Sequence, residues 1–303
     1  MPQNFCLYTS GDVHFTDARV TRPVTFAHIT DLHLPPWPKD NWPPRYAHAI
    51  GWWDIDCHYP HDALSGLLDQ AKEAGVDFVF FGGDSLDVYD PPTADRLVEL
   101  CRQRHLTGQF SFGNHDFESF EIRYVSHDDV PQVRQENTDK LLQHWSMPHR
   151  YHSFEVRQVR FIVLDAPYRS VEGGLAGFYD NQQVDWLEDQ LRFDGPIVVF
   201  YHIPFRTPGN EERLLVIWNG VKGWAAENEN SQRVMTAINR CPNVLAAFAG
   251  HTHTRSEEKL GEKWQFVTAA GHYGAWRYVQ ICDQPAPKSL RVSGRPTVEG
   301  YDP

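Results

Sequence analysis

The chain has 303 residues and a net charge of −12, with 28 basic against 40 acidic side chains. This acidic balance disfavours broad electrostatic binding to long nucleic acids or to an anionic membrane surface. With 41% hydrophobic residues and no continuous apolar run of membrane-spanning length, the composition predicts a globular protein with a sizeable core and no transmembrane helix.

Eight apolar runs have the length and composition of buried strands, and five helical stretches lie among them. In the first half strands and helices alternate, which favours parallel βαβ units. The second half has more consecutive strands, which indicates a mixed sheet or two sheets. The predicted strands are residues 24–30, 77–81, 106–112, 159–164, 197–201, 244–249, 264–269 and 278–282, and the predicted helices are residues 61–74, 92–104, 137–145, 180–191 and 231–239.

We interpret residues 1–283 as one domain and residues 284–303, which are polar and contain several prolines and glycines, as a C-terminal tail. Segments near residues 35–60 and 204–230 are too long for simple connections, so we expect them to be insertions at the rim of the site. The first contains four tryptophans, which could stack a substrate or could pack within the loop or in a dimer contact. We favour packing slightly. These tryptophans are Trp37, Trp42, Trp52 and Trp53.

The five cysteines form no C-x-x-C pair, and the N-terminus lacks the basic start and apolar run of a signal peptide. We therefore expect reduced, mostly buried thiols in a cytoplasmic protein.

Side chains of the types that commonly bind metal ions follow five of the predicted strands. In open α/β sheets ligands bind at the carboxyl ends of strands, so these side chains can converge on one site. Carboxylate and imidazole together suit Mn, Fe, Zn or Co better than Mg or Ca alone. The residues are Asp31 and His33, then Asp84, then Asn114, His115 and Asp116, then His202, and finally His251 and His253.

The set is large enough for two metal ions, and a carboxylate such as Asp84 can bridge two cations about 3.5–4 Å apart. Two such cations polarise a phosphoryl group and generate hydroxide from bound water near neutral pH. A D-x-H triplet alone carries little weight, because three occur in this chain. We interpret the other two, at residues 12–14 and 56–58, as surface polar residues, because no predicted strand precedes them.

The ordered set resembles the calcineurin-like metallophosphoesterase superfamily over residues 24–282. The resemblance implies a four-layer α/β/β/α sandwich with two mixed β-sheets and a dinuclear metal centre. The matching motifs are D-x-H at residues 31–33, G-D-x-x-D at residues 83–87, G-N-H-D at residues 113–116, a histidine at position 202 and G-H-x-H at residues 250–253.

The resemblance also implies roles for these residues. His115 would contact the scissile phosphate and protonate the leaving oxygen, and Asp116 would orient His115. Asp87 would contact the metal ligands without binding a metal ion itself. One ion would take Asp31, His33, Asp84 and His253, and the other would take Asp84, Asn114, His202 and His251.

Two departures narrow the subfamily. Asp87 occupies the position where purple acid phosphatases carry tyrosine, and Val88 follows it where phosphoprotein phosphatases continue with Arg-Gly. The motifs are more similar to the class III cyclic nucleotide and glycerophosphodiester phosphodiesterases, which implies a small phosphodiester as substrate. A phosphomonoesterase, a nuclease and a non-catalytic scaffold are the alternatives, and a homo-oligomer stays open.

Four residues outside the motifs have competing interpretations. We expect His28, inside a predicted strand, to be a hydrogen-bonded core residue. His272 could line the site from a neighbouring loop, but we favour a structural role. Arg206 and Arg255 follow ligand positions and could clamp a phosphate oxygen, or could be ordinary exposed arginines.

Overall fold

The computed structural model describes residues 8–9, 11–37, 60–119, 131–166, 168–171, 174–209, 211, 224–225 and 227–283. The predicted tail, most of both predicted insertions, Cys6 and Cys57 lie outside the described residues. So do Trp42, Trp52 and Trp53. The three cysteines within them are buried and form no disulfide among the described residues: Cys101, Cys241 and Cys282.

The first sheet has six strands in the order β1-β14-β3-β4-β5, and β2 also pairs with β14. Strands β3, β4 and β5 run parallel, whereas β14 runs antiparallel to β3, so the sheet is mixed. The strands are β1 (Tyr8–Thr9), β2 (Val13–Thr16), β3 (Val24–Ile29), β4 (Phe78–Phe81), β5 (Gly108–Phe110) and β14 (Ala275–Cys282).

The second sheet also has six strands, in the order β12-β13-β11-β10-β7-β6. Its four central strands are parallel, and an antiparallel strand closes each edge. The strands are β6 (His152–Val156), β7 (Val159–Val163), β10 (Ile197–Phe200), β11 (Val244–Ala249), β12 (Ser256–Leu260) and β13 (Lys263–Val267), while β8 (Tyr168–Val171) and β9 (Gly174–Gly177) form a separate hairpin.

Five α-helices occur in the described part of the chain, and three begin after a capping side chain. Asp90, Asp180 and Asn228 each accept a hydrogen bond from a backbone N–H of the following first turn. The helices are α1 (Pro60–Glu73), α2 (Pro91–Gln103), α3 (Pro131–His144), α4 (Asn181–Gln190) and α5 (Glu229–Arg240), and a short 3₁₀ turn covers Gly271–Tyr273.

Three apolar clusters hold four layers together. Side chains of α1, α2 and α3 pack on the outer face of the first sheet, and those of α4 and α5 pack on the outer face of the second. A third, phenylalanine-rich cluster lies between the sheets, where the Phe80 and Phe200 rings stack with centroids 3.7 Å apart. Strand β4 supplies both faces, with Phe80 turned to the inner cluster and Phe81 to the helices. The predicted α/β/β/α sandwich with two mixed sheets is confirmed.

Candidate metal centre

The predicted site residues lie at one edge of the two sheets, because the parallel strands end there together. All are buried except His253, which is partly exposed. They come directly after β3 (Asp31 and His33), β4 (Asp84), β5 (Asn114, His115 and Asp116), β10 (His202) and β11 (His251 and His253).

The backbone at this edge is strained. Five of the seven predicted ligands have a left-handed backbone with φ between 45° and 70°, a region that costs non-glycine residues about 1–3 kcal/mol. Gly83, with φ of 95°, adjoins them, and an added Cβ would lie 2.5 Å from His202 Nδ1. The surrounding fold therefore imposes these conformations, as it does at functional sites. The strained ligands are Asp31, His33, Asp84, His251 and His253.

Asp84 lies at the middle of the site. Its Oδ2 is 3.1 Å from His202 Nε2 and 3.9 Å from His33 Nε2, and its Oδ1 accepts the His115 backbone N–H at 2.8 Å. Two groups with ligand atoms within 4.8 Å of one another share this carboxylate. One group is Asp31, His33 and Asp84, and the other is Asp84, His202 and His251.

Asp31 joins the loops from both sheets. Its two carboxylate oxygens accept the His251 backbone N–H at 3.0 and 2.9 Å, and His253 Nε2 lies 3.5 Å from Asp31 Oδ1. His253 Nε2 also lies 3.0 Å from His33 Nε2. Two imidazole nitrogens this close repel through their lone pairs unless a proton or a cation lies between them, so the arrangement suits a metal ion.

Asn114 and His202 have the features of metal ligands. Asn114 Oδ1 is buried and accepts no hydrogen bond among the described residues, a state that a cation would relieve. His202 Nδ1 donates to the Gly82 carbonyl at 2.8 Å, which turns Nε2 toward Asp84. A backbone carbonyl that fixes the tautomer in this way is the common support of a metal-bound histidine. The donor set of carboxylates, amide oxygen and imidazoles therefore fits transition-metal ions.

Burial and neighbouring charges set the protonation states. Although burial disfavours a carboxylate, His202 and His115 hold the pKa of Asp84 well below its usual range. Burial alone would lower the pKa of His202, but the Asp84 carboxylate raises it to about 9. Burial and neighbouring imidazoles lower the pKa values of His251 and His253 well below the ordinary value. His251 and His253 are therefore neutral imidazoles, the form that binds metal ions.

The His115 ring lies between Asp87 and the centre. Nδ1 donates to the Asp87 carbonyl at 3.2 Å and lies 3.4 Å from Asp87 Oδ1, while Nε2 lies 3.9 Å from Asp84 Oδ2. This orientation leaves Nε2 as the nitrogen that faces the predicted metal ligands and any substrate bound to them.

The structure places the Asp116 carboxylate against two backbone N–H groups. Its two carboxylate oxygens accept the Leu86 N–H at 2.8 Å and the Gly113 N–H at 2.7 Å. The carboxylate that contacts the His115 ring is that of Asp87. Asp116 therefore joins the loops after β4 and β5 and acts on the site through their backbones.

We expect Asp116→Ala to destabilise the fold by about 2–5 kcal/mol, because it leaves two buried N–H groups without an acceptor. Asp116→Asn keeps one acceptor oxygen and should lose less. Urea unfolding monitored by circular dichroism measures both variants. Equal stability of Asp116→Ala and the parent protein would contradict the anchoring role.

The structure places His272 beside two of the predicted ligands. Its ring centroid lies 5.5 Å from that of His33 and 5.2 Å from that of His253, and a ligand atom of each lies within 4.8 Å of the others. The signal was present, because His272 follows β13, a parallel neighbour of β11. His28, in contrast, is the expected core residue, with Nδ1 2.7 Å from Thr268 Oγ1.

Both rim arginines considered as phosphate clamps are paired with glutamates. Arg206 contacts Glu211 and lies 2.8 Å from Glu227, and Arg255 lies 2.7 Å from Glu257. Their charges are thus balanced within the protein. Neither guanidinium is held ready for a phosphate oxygen.

Trp37 is the one tryptophan of residues 35–60 that lies in the described part of the chain. It follows His33 by four positions, its side chain is 39% exposed, and the Arg96 guanidinium lies 4.1 Å from its ring centroid. Its backbone N–H donates to Asp90 at 3.2 Å. These contacts hold an exposed aromatic surface in place near the loop that carries His33.

No helix among the described residues is long and apolar enough to cross a membrane.

A model of the family described as calcineurin-like phosphoesterase matches residues 24–255, more than half of the chain. No curated protein matches this chain. A dimetal phosphatase from Danio rerio is structurally similar with a TM-score of 0.51 at 15% identity, over 82% of this chain and 88% of that one. At this identity the likeness shows the fold alone.

Two other solved structures are more distant. A purple acid phosphatase from yellow lupin seeds aligns at 11% identity with a TM-score of 0.48, over 84% of this chain and 44% of that one. Phosphopantetheinyl hydrolase from Mycobacterium tuberculosis aligns at 11% identity with a TM-score of 0.45, over 84% and 92%.

Proposed function

The chain belongs to the calcineurin-like phosphoesterase family, and from this premise we propose that it hydrolyses a small phosphodiester at a centre of two metal ions. Members of this family are phosphoester hydrolases that typically bind a dinuclear metal centre. The observation that supports two ions here is the position of Asp84 in both ligand groups.

The proposed centre uses seven side chains. Two bound ions would polarise the phosphoryl group and supply hydroxide from water near neutral pH. Mn, Fe and Zn all suit this donor set. Asp84 would lie between the ions, with Asp31, His33 and His253 on one side and Asn114, His202 and His251 on the other.

His115 is the proposed general acid. Its Nδ1–H is held by the Asp87 carbonyl, so Nε2 is the nitrogen that would give a proton to the leaving oxygen, which requires the ring to be protonated on both nitrogens at that step. Asp116 holds the loop that carries His115 through the Gly113 N–H. Asp87 and Asp116 are both buried, so water does not compete for these contacts.

The pairing of the two candidate phosphate-clamping arginines with glutamates favours a diester over a monoester as substrate. A phosphomonoester carries up to two negative charges and gains more from a guanidinium clamp than a singly charged diester does. Arg206 and Arg255 are already balanced by glutamates. The motifs that resemble class III phosphodiesterases support the same substrate class, and the net charge of −12 disfavours long nucleic acids.

The test compares bis(4-nitrophenyl) phosphate with 4-nitrophenyl phosphate on the manganese-loaded enzyme. We expect kcat/KM to be at least about tenfold higher for the diester, which corresponds to about 1.4 kcal/mol. Higher values for the monoester would contradict the diester assignment. Faster cleavage of duplex DNA with a steep loss of affinity on added salt would indicate a nuclease instead.

We also propose that the segment near residues 35–60 contributes to substrate choice through Trp37. Stacking on an aromatic ring contributes about 1–3 kcal/mol, so Trp37→Ala should raise KM about 5- to 150-fold for a base-bearing diester such as thymidine 5′-(4-nitrophenyl phosphate). Turnover of 4-nitrophenyl methyl phosphate, which has no base to stack, should change much less.

A matched control is Trp264→Ala, because Trp264 is equally exposed at 41% but lies at the start of β13, away from the strand ends that carry the site. Thermal melts establish that each variant folds. If Trp37→Ala leaves both KM values unchanged, as Trp264→Ala should, Trp37 does not contact the substrate and this proposal is wrong.

A further inference from the structure

The loop after β13 lies directly on the segment that carries Asp31. The Gly271 N–H donates to the Thr30 carbonyl at 2.7 Å, and the His272 N–H donates to the Asp31 carbonyl at 3.3 Å. An added Cβ at Gly271 would lie 2.9 Å from the Thr30 carbonyl oxygen and from the Leu32 side chain. This close approach fixes His272 against the site.

The His272 ring has one nitrogen held and one without a partner. Nδ1 lies 2.8 Å from the Asp31 carbonyl oxygen, which can only accept a hydrogen bond, so Nδ1 carries the proton. In a neutral imidazole this leaves a lone pair on Nε2. That Nε2 is buried and has no hydrogen-bond partner among the described residues.

His202 has the same arrangement and is one of the seven predicted ligands. Its Nδ1 donates to the Gly82 carbonyl at 2.8 Å, and its Nε2 faces the Asp84 carboxylate at 3.1 Å. In both residues a backbone carbonyl holds Nδ1, so Nε2 is the nitrogen that a metal ion would bind, as in metal-bound histidines.

The neighbours of His272 are two predicted ligands of the same ion. One ligand atom each of His33, His253 and His272 lies within 4.8 Å of the other two. Its ring planes meet those of His33 and His253 edge-on, both at 76°. Rings packed only for apolar burial would not need three ring nitrogens to converge.

We propose that His272 is a further metal ligand, which joins His33 and His253 at the ion that Asp31 and Asp84 also bind. The inference rests on the two-ion function proposed above. It makes this site richer in imidazole than the second site, which takes two histidines, one carboxylate and one amide oxygen. Nitrogen-rich sites bind zinc or iron in preference to manganese, so the two positions should differ in metal preference.

His272→Asn tests the inference, because an asparagine amide can still donate to the Asp31 carbonyl but offers no ring nitrogen at the Nε2 position. Zinc affinity is measured by competition with a chromophoric chelator, and the zinc environment by X-ray absorption. We expect one of the two ions to bind at least about 10- to 100-fold more weakly and the mean number of imidazoles per ion to fall.

His152→Asn is the matched control, because it removes another buried imidazole, in β6, without touching the site. His272→Gln is a second variant, and circular dichroism selects the folded proteins. Unchanged affinity and imidazole number in a folded His272 variant would overturn the inference. Equally weaker binding of both ions with an unchanged imidazole number would also overturn the inference. It would indicate that His272 only holds the Asp31 loop in position.

The same titration separates this inference from the proposed function. If the parent protein binds no zinc, the two-ion proposal fails. If the parent protein binds two ions and the folded His272 variants match it, only the ligand role of His272 fails.

Discussion

Replacing Asp84 with alanine is expected to remove both metal ions and to lower phosphodiester hydrolysis by at least about 10³-fold. The carboxylate is shared by both ligand groups, so its loss removes a ligand from each. It also leaves His202 and His33 without the negative charge that they face at 3.1 and 3.9 Å. Metal ions contribute several kcal/mol to transition-state stabilisation, and each 1.36 kcal/mol corresponds to about tenfold in rate.

Metal content by mass spectrometry and turnover of bis(4-nitrophenyl) phosphate measure the effect. Asp165→Ala is the matched control, because Asp165 is also a buried carboxylate after a central strand but pairs with Arg150. It should lower stability and keep both ions. An Asp84→Ala protein that retains two ions and normal turnover would show that the carboxylate is not shared between them.

Replacing His115 with alanine is expected to keep both metal ions and to lower turnover of an alkyl phosphodiester by about 10²–10⁴-fold, the usual contribution of a general acid. The ring nitrogens are not among the seven proposed ligands, and Nδ1 is held by the Asp87 carbonyl. The backbone N–H of residue 115 still donates to Asp84 in the variant, so the ligand geometry should persist.

The dependence on the leaving group separates proton donation from binding. A 4-nitrophenolate leaves without a proton, so the defect should be small for a nitrophenyl diester and large for an alkyl diester. The Asp87→Asn variant should show a weaker form of the same pattern, because it alters the contact at His115 Nδ1. Asp87 Oδ1 also lies 3.5 Å from His33 Nδ1, so metal content is measured on this variant as well. Equal defects for both leaving groups would mean that His115 positions the substrate and does not protonate it.

The strand ends could be predicted because buried parallel strands have a local signature. Residues 197–201 and 244–249 are continuous apolar runs and residues 24–30 are mostly apolar, and the structure has strands at Val24–Ile29, Ile197–Phe200 and Val244–Ala249. A ligand-type side chain directly after such a run can be read from the sequence. The strand pattern was therefore sufficient to predict that these side chains meet at one edge, whereas the four-layer sandwich was predicted from the resemblance of the ordered motifs to the metallophosphoesterase superfamily.

The edge strand β12 was missed because its sequence, SEEKL, contains no apolar run. Glu257 and Lys259 are exposed and Glu258 is partly exposed, so the pairing of β12 with β13 decides its conformation. β14 begins three residues earlier than predicted. The added residues include Arg277, which is fully buried there and bonds to Glu257 at 2.8 Å.

The orientation of individual side chains could not be predicted from the sequence either. Asp116 adjoins His115 in the chain, yet the turn at residues 113–116 directs its carboxylate to the Gly113 and Leu86 N–H groups. His272 belongs to no motif, and only the docking of its loop on Asp31 brings it to the site. Both outcomes depend on loop backbone geometry, which spacing along the chain does not determine.

The most direct test of the account is anomalous diffraction from a crystal of the manganese-loaded protein, recorded on both sides of the metal absorption edge. The account predicts two anomalous peaks, one on each side of the Asp84 carboxylate, with Asp31 and His33 at one and Asn114 and His202 at the other. A single peak in the fully loaded protein, or two peaks without Asp84 between them, would contradict it.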